Sequence, residues 1–249
     1  MAATPDRDRV RRVRSIFISD LHLGSRRAQA TRLVSFLQRH ESDFLYLVGD
    51  VADSNERDTV EEWPHEHRRV LDLLEEKSSN GTHLVYLPGN HDPGFETVWR
   101  ARHPELVTRQ EDEHVTADGR RLLVRHGHEF DLMSRHVGWL THLGDLLSGV
   151  LERLGPRGER RPHAPGILRL KQSVKRLLGY TGVFRRRALR TARERAFDGI
   201  VCGHIHEAAL IEQGGVAYHN GGDWVQSCSA LVEHTSGRLE IVWDEQAAG

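Results

Sequence analysis

Five short apolar runs in this 249-residue chain each end in side chains able to bind a metal ion or an anion. The runs occupy 15–19, 44–48, 84–87, 122–124 and 199–202. In order they lead into Asp20 and His22, then Gly49 and Asp50, then Gly89, Asn90, His91 and Asp92. The last two lead into His126, Gly127 and His128, and into Gly203, His204 and His206. Runs this short and this apolar read as buried strands. In open α/β sheets, sites are built just past the C-terminal ends of strands. A repeated strand–acid–histidine arrangement is hard to explain by packing, so the chain needs a sheet edge that gathers carboxylates and imidazoles.

The segments between these runs supply the rest of an α/β pattern. Ala30, Leu33, Val34 and Leu37 recur at helical spacing. A helix is expected over 60–77, with Val70, Leu71 and Leu74 on one side and Pro64 near its start or kinking it. Another is expected over 186–197, and Gly179 to Gly182 are expected to interrupt the helical pattern before it. Short strands are expected around 208–211, 216–218, 227–233 and 239–243, with hairpin turns at Asp118-Gly119 and Ser236-Gly237. The first 13 residues are polar and basic and are expected to fray. Residues 130–196 break the strand pattern. Phe130, Met133, Val137, Leu140, Leu147, Leu151 and Leu154 form an apolar stripe, and Leu170, Val174, Leu177 and Leu178 a second one. This block is expected to be a helical cap inserted into a single domain over 14–249.

The formal charge of -1 excludes a uniformly basic nucleic-acid binder. Charge is uneven, however. Residues 151–195 hold fourteen Lys or Arg against three Glu, leaving the remainder of the chain strongly acidic. A basic cap beside an acidic core implies an anionic partner. The basic block lacks interleaved aromatics, so no nucleic acid is expected. Cys202 and Cys228 are too few for a disulfide scaffold and suggest a reducing compartment; both are expected to be buried thiols. The start lacks the apolar core of a signal peptide, and no stretch approaches the ~20 apolar residues of a spanning helix. A cytoplasmic protein is expected. No pattern fixes an oligomeric state.

Asp carboxylates are hard anionic ligands, imidazole suits first-row divalent metals, and an Asn carbonyl adds a neutral oxygen. Asp20-x-His22 after a strand places both side chains on one face, as does His204-x-His206. Together the five segments supply ligands for two ions, more than the three or four of a single zinc site.

The motifs SDLHLG at 19–24, VGD at 48–50, PGNHD at 88–92, HGH at 126–128 and CGHIH at 202–206 resemble the calcineurin-like metallophosphoesterase superfamily in order and spacing. The resemblance implies an α/β fold, a four-layer sandwich of two mixed central β-sheets flanked by helices. It implies a two-metal site in which Asp20, His22 and His206 hold one ion and Asn90, His126 and His204 the other, with Asp50 bridging. His91 would be the catalytic histidine and Asp92 its orienting partner. His128 and Asn55 are candidate substrate contacts, as are Arg157, Arg160 and Arg161. Trp224 reads first as packing. Two ions about 3.5–4 Å apart support in-line attack on phosphorus.

The cap and the tail at 219–243 narrow the resemblance to the branch containing bacterial UDP-2,3-diacylglucosamine pyrophosphatase and its paralogues. That branch implies release of UMP and diacylglucosamine 1-phosphate, dependence on Mn2+, and peripheral contact with an anionic membrane at its cytoplasmic face. Fe, Zn and Co share such ligands. Well-studied members carry Arg where this chain has His91. The alternatives are therefore a phosphomonoesterase or phosphodiesterase for another phosphorylated lipid, nucleotide or sugar, and a non-catalytic metal-binding interaction module.

Overall fold

The computed structural model describes residues 10–53, 60–102, 107–131 and 179–244. Its first sheet joins β1 (Arg11–Ile18), β2 (His40–Val48), β3 (His83–Leu87), β4 (Val107–Thr108), β10 (Ser229–Glu233) and β11 (Leu239–Trp243). The order is β11-β10-β1-β2-β3-β4, with β1 to β4 parallel and β10 antiparallel to both of its neighbours. The second sheet joins β5 (Asp112–Val115), β6 (Arg121–Val124), β7 (Gly199–Cys202), β8 (Ala209–Gln213) and β9 (Val216–Asn220) in the order β5-β6-β7-β9-β8. It too is mixed, since β6, β7 and β9 run parallel while β5 and β8 run antiparallel to their neighbours. The helices are α1 (Ala30–Arg39), α2 (His65–Ser79), α3 (Phe95–Arg102) and α4 (Tyr180–Glu194). Two mixed sheets flanked by helices make the expected α/β sandwich.

The continuous apolar runs follow from burial on both faces, as parallel strands require. Ile16, Ile18, Leu45, Leu47, Leu84 and Tyr86 belong to one core, shared with Leu33, Phe36 and Leu37 of α1 and Val70, Leu71 and Leu74 of α2. The alternate residues Phe17, Tyr46, Val48, Val85 and Leu87 belong to a second core, shared with Leu122 and Val124 of β6 and Val201 of β7. The period-2 side-chain alternation of a strand thus divides each run between a sheet–helix layer and a sheet–sheet layer. Phe17 and Tyr46 stack with ring centroids 4.8 Å apart, a geometry worth about 0.5–1.5 kcal/mol beyond area burial.

Several boundaries differ from the sequence reading. Strand β1 begins at Arg11 rather than after residue 13, because Arg11 and Arg12 pair with His40 and Glu41 through backbone alone. The 60–77 helix is two pieces, a 3-10 turn at Val60–Glu62 and then α2, with Pro64 as its N-cap. Pro tolerates this place because it lacks only an N–H that the first turn leaves unpaired. Helix α4 starts at Tyr180, so Gly182 does not interrupt it. Helix α3, with Phe95 and Trp99 buried, has no counterpart in the sequence reading. The residues fall into two compact units, one of 1–128 with 189–249 and one of 129–188. Most of the expected cap lies outside the described residues, as do Asn55, Arg157, Arg160, Arg161 and nearly all of the apolar stripe. Among the described residues, no helix is long and apolar enough to cross a membrane.

One buried ionic network ties the sheets together. Glu233 on β10 is fully buried and accepts hydrogen bonds from Ser15 Oγ (2.6 Å), Arg14 Nη1 (2.7 Å) and the Ala117 N–H (2.7 Å). His114 Nε2 on β5 lies 2.8 Å from the same carboxylate. Burial alone would raise the Glu233 pKa, but these partners pull it down to about 2. A carboxylate depressed in this way stabilises the fold above its unfolded pKa near 4.5, and that contribution fades as pH falls toward 2. Glu233→Gln is expected to cost on the order of 2–3 kcal/mol at pH 7, and the deficit should shrink below pH 4.5. Denaturant melts of both proteins across pH 2–7 read this; a deficit independent of pH would contradict it.

Candidate metal centre

Every strand that carries a motif stops where its chain turns, and the turns use strained backbone. Asp20, His22, Asp50, His204 and His206 all lie at positive φ, between 49° and 68°. Only Ala196 and Cys228 share that property among the other described non-glycine residues. Each such residue costs on the order of 1–3 kcal/mol and persists only where surrounding bonds fix it. Here the bonds are visible. The Asp20 N–H donates to Gly49 O (2.9 Å), the His22 N–H to Asp50 O (3.0 Å) and the Leu23 N–H to Val51 O (2.9 Å). The first two motifs are therefore zipped together beyond the ends of β1 and β2. The His204 N–H donates to both Asp20 carboxylate oxygens, at 3.1 and 3.0 Å, which joins the fifth motif to the first.

Three glycines let these turns approach one another. A Cβ on Gly49 would sit 2.3 Å from His126 Nδ1, and one on Gly89 2.2 Å from Asp50 Oδ1. One on Gly203 would sit 2.6 Å from Asp20 Oδ2. Each of these glycines thus makes room for a side chain of the centre.

Two clusters result. Asp20, His22 and His206 bring one ligand atom each within 4.8 Å of one another, and so do Asp50, His126 and His204. In the first, His206 Nε2 lies 3.3 Å from Asp20 Oδ1 and 3.4 Å from His22 Nε2. In the second, His126 Nδ1 lies 2.8 Å from Val48 O, which leaves Nε2 facing Asp50 Oδ2 at 3.3 Å. That Nε2 is buried and makes no hydrogen bond. A buried imidazole nitrogen that makes no hydrogen bond and faces a carboxylate is what a divalent cation fits. The donor set of Asp oxygens and His nitrogens suits first-row metals. Asp50 is held well below the usual carboxylate range; burial opposes its charge, but His126 and the His91 N–H outweigh it. His126 is raised to about 9 against the burial that would lower it, chiefly by Asp50.

A third cluster lies beside these. Asp53 Oδ1 is 2.8 Å from His22 Nδ1 and 3.0 Å from His91 Nδ1. Its pKa falls because these two histidines overcome its burial. The His91 pKa is raised, first by the Asp53 hydrogen bond and then by the charges of Asp50, Asp53 and Asp92. The His91 side chain is half exposed.

The sequence reading gave the orienting role to Asp92, and the structure places a different acid at His91. Asp92 is fully buried, and its two oxygens are spent on the N–H groups of Ala52 (2.9 Å) and Gly89 (2.8 Å), where it braces the turn. Asp53 stands next to His91 instead. Its signal was present as the second acid in Asp50-x-x-Asp53, three residues past a candidate ligand. Asn90 is exposed on the turn between Gly89 and His91. His128 packs near His126, with ring centroids 5.6 Å apart. Trp224 is fully buried near Phe36, as packing predicts, and its backbone N–H donates to Asp20 O (3.1 Å). Cys202 and Cys228 are buried thiols.

Comparison with known proteins agrees with this geometry. The family model for calcineurin-like phosphoesterases matches residues 13–208. The DNA polymerase II small subunit of Methanothermobacter thermautotrophicus is 27% identical over 189 aligned residues, covering 61% of this chain and 39% of that protein. The chain thus spans about two fifths of that relative's length. A hypothetical protein of Pyrococcus horikoshii has a similar fold, with a TM-score of 0.51 at 8% identity, over 96% of this chain and 90% of that one. An archaeal phosphodiesterase aligns over 92% of this chain and 98% of its own, with a TM-score of 0.45 at 12% identity.

Gly49→Ala tests the crowding. The added methyl group meets the His126 ring at a residue with φ +79°. The substitution is expected to cost at least about 1–3 kcal/mol and to weaken cation binding at the Asp50–His126–His204 cluster selectively. Calorimetric titration with Mn2+ reads both sites; two wild-type affinities in the variant would contradict the reading.

Proposed function

The chain belongs to the calcineurin-like phosphoesterase family, and from that premise we propose that it hydrolyses phosphoester or pyrophosphate bonds with two divalent cations. The observation that supports this most is the convergence of Asp20, His22 and His206 beside Asp50, His126 and His204. Asp20, His22 and His206 would hold one cation, and His126, His204 and the Asn90 amide oxygen the other. Asp50, grouped with His126 and His204, would also reach the first cation as a bridge, as the family resemblance implies. When bound, the cations supply Lewis acidity at the phosphoryl oxygens and a nucleophile at neutral pH.

The protein's own groups supply the rest. Asp53 accepts the proton on His91 Nδ1 in a hydrogen bond and so fixes the ring and its tautomer. Nε2 is then the atom free to give a proton to the leaving oxygen, or to bond an equatorial oxygen as charge develops there. The half-exposed ring stands where a substrate can reach it. The Asp92 carboxylate holds the Gly89 and Ala52 N–H groups and keeps the turn that carries His91 in place. No covalent enzyme intermediate is needed.

A narrower reading within this proposal is cleavage of UDP-2,3-diacylglucosamine with manganese, at the cytoplasmic face of an anionic membrane. It rests on the resemblance of the cap and of the tail at 219–243. His91 in place of Arg supports the broader class, which includes other phosphorylated lipids, nucleotides and sugars. Incubation with Mn2+ and that substrate, followed by mass spectrometry, is expected to give UMP and diacylglucosamine 1-phosphate. Turnover of an aryl phosphate without UMP release would move the substrate to another member of the class.

His91→Ala is expected to lower kcat by about 10²–10⁴-fold while metal content stays at two per chain. Asp53→Asn should fall between that variant and wild type, because the ring survives but loses its anionic partner. Steady-state kinetics beside elemental analysis decide this. Loss of metal in proportion to activity in His91→Ala would make His91 a ligand or a support instead.

A further inference from the structure

A buried amide stands behind the metal centre and has no part in the chemistry described so far. Asn220 ends β9 and is fully buried. Its backbone is already in register with Cys202 of β7 and Ala209 of β8, so the strand is paired without its side chain. A buried primary amide needs partners for both of its ends. Here Nδ2 donates to Gly203 O at 2.8 Å and to the Tyr218 hydroxyl at 3.2 Å, while Oδ1 accepts the Gly222 N–H at 2.9 Å. Only this orientation of the amide satisfies a carbonyl on one side and an N–H on the other.

Both backbone contacts fall on turns of the centre. Gly203 O is the carbonyl end of the peptide that leads into His204, and it also accepts the Ile205 N–H at 2.8 Å. The other end of the same peptide is the His204 N–H, which donates to both Asp20 carboxylate oxygens. The Gly203–His204 peptide is therefore held at both ends, by Asn220 and by Asp20. The second contact leads back to the first motif, because Gly222 O accepts the Ser19 hydroxyl at 3.0 Å, one residue before Asp20.

That peptide joins the two ligand clusters, since Asp20 belongs to one and His204 to the other. His204 lies at φ +68°, a conformation it does not prefer and keeps only where its surroundings fix it. Rotation of the peptide would turn its N–H away from Asp20 and redirect the His204 side chain together. Groups that orient metal ligands in this way affect metal affinity nearly as much as the ligands do.

We propose that Asn220 is a positioning residue of the metal centre. By anchoring the Gly203 carbonyl it sets the plane of the Gly203–His204 peptide, and with it the aim of His204 and the hydrogen bonds that Asp20 receives. This deepens the two-cation hydrolase reading and rests on it.

The test compares three variants of the full chain. Asn220→Asp keeps the shape and the acceptor for Gly222 but turns an oxygen toward Gly203 O. Asn220→Ala removes both bonds and adds no charge. Ser229→Ala is the control, because it loses a buried hydrogen bond to Gly221 O (2.7 Å) in the same loop without bonding Gly203. Calorimetric titration with Mn2+ is expected to show binding weakened by about 10–100-fold in both Asn220 variants, with wild-type affinities in Ser229→Ala. The visible spectrum of bound Co2+, which reports ligand geometry, should change in the Asn220 variants alone. Melting with and without Mn2+ gives the same comparison for a variant that is destabilised, because a weaker site gains less from the metal. Wild-type Mn2+ affinity and Co2+ spectrum in the Asn220 variants, or equal losses in Ser229→Ala, overturn the proposal. A wild type that binds no Mn2+ overturns the metal reading and the proposal with it. Aryl phosphate turnover is measured separately. Its absence, with the binding pattern as expected, counts against the hydrolase reading and leaves the positioning role standing.

Discussion

Asp50 is where the motifs meet, and the centre depends on its being held there. Its carbonyl accepts the His22 N–H, and its Oδ1 accepts the His91 N–H at 2.8 Å. Its Oδ2 faces His126 Nε2 at 3.3 Å, and His204 joins the same cluster. A buried carboxylate is costly unless it is hydrogen-bonded and neutralised. The Asp50 carboxylate meets that requirement where the turns carrying His91 and His126 reach it. The left-handed backbone at Asp20, His22, Asp50, His204 and His206 and the missing side chains at Gly49 and Gly89 follow from that requirement. The sheets, in turn, are what hold the turns in register.

The rigidity of the framework explains how strain is tolerated. The strands behind the turns are buried on both faces and belong to two separate cores. The Glu233 network binds β1, β5 and β10 through one carboxylate away from the centre. Stability is supplied by the layers, and five of the seven positive-φ non-glycine residues among those described lie in the turns of the candidate centre. His91, half exposed and 3.0 Å from Asp53 through Nδ1, stands at the edge of this framework.

Much of this was legible in the sequence because the signals are local. A short apolar run followed at once by Asp-x-His or His-x-His states both a buried strand and its functional end. The two-sheet α/β architecture and the convergence of Asp20, His22, Asp50, His126, His204 and His206 followed from that pattern and from the family resemblance. What was missed depends on which backbone groups happen to be nearby. Asp92 and Asp53 are both acids beside a motif. Only the fold shows that the N–H groups of Ala52 and Gly89 claim the first and leave the second to His22 and His91. Strand β1 extends into a polar stretch because its pairing is through backbone, which carries no hydropathy signal. Helix α3 is too short for periodicity to announce it.

The central claim is that these turns converge to hold two cations bridged by Asp50. Crystals of the full chain soaked in Mn2+, with diffraction recorded on either side of the manganese edge, test it most directly. The account predicts two anomalous peaks, one among Asp20, His22 and His206 and one among His126 and His204, with Asp50 touching both. A single peak, or peaks placed away from Asp50, would contradict it.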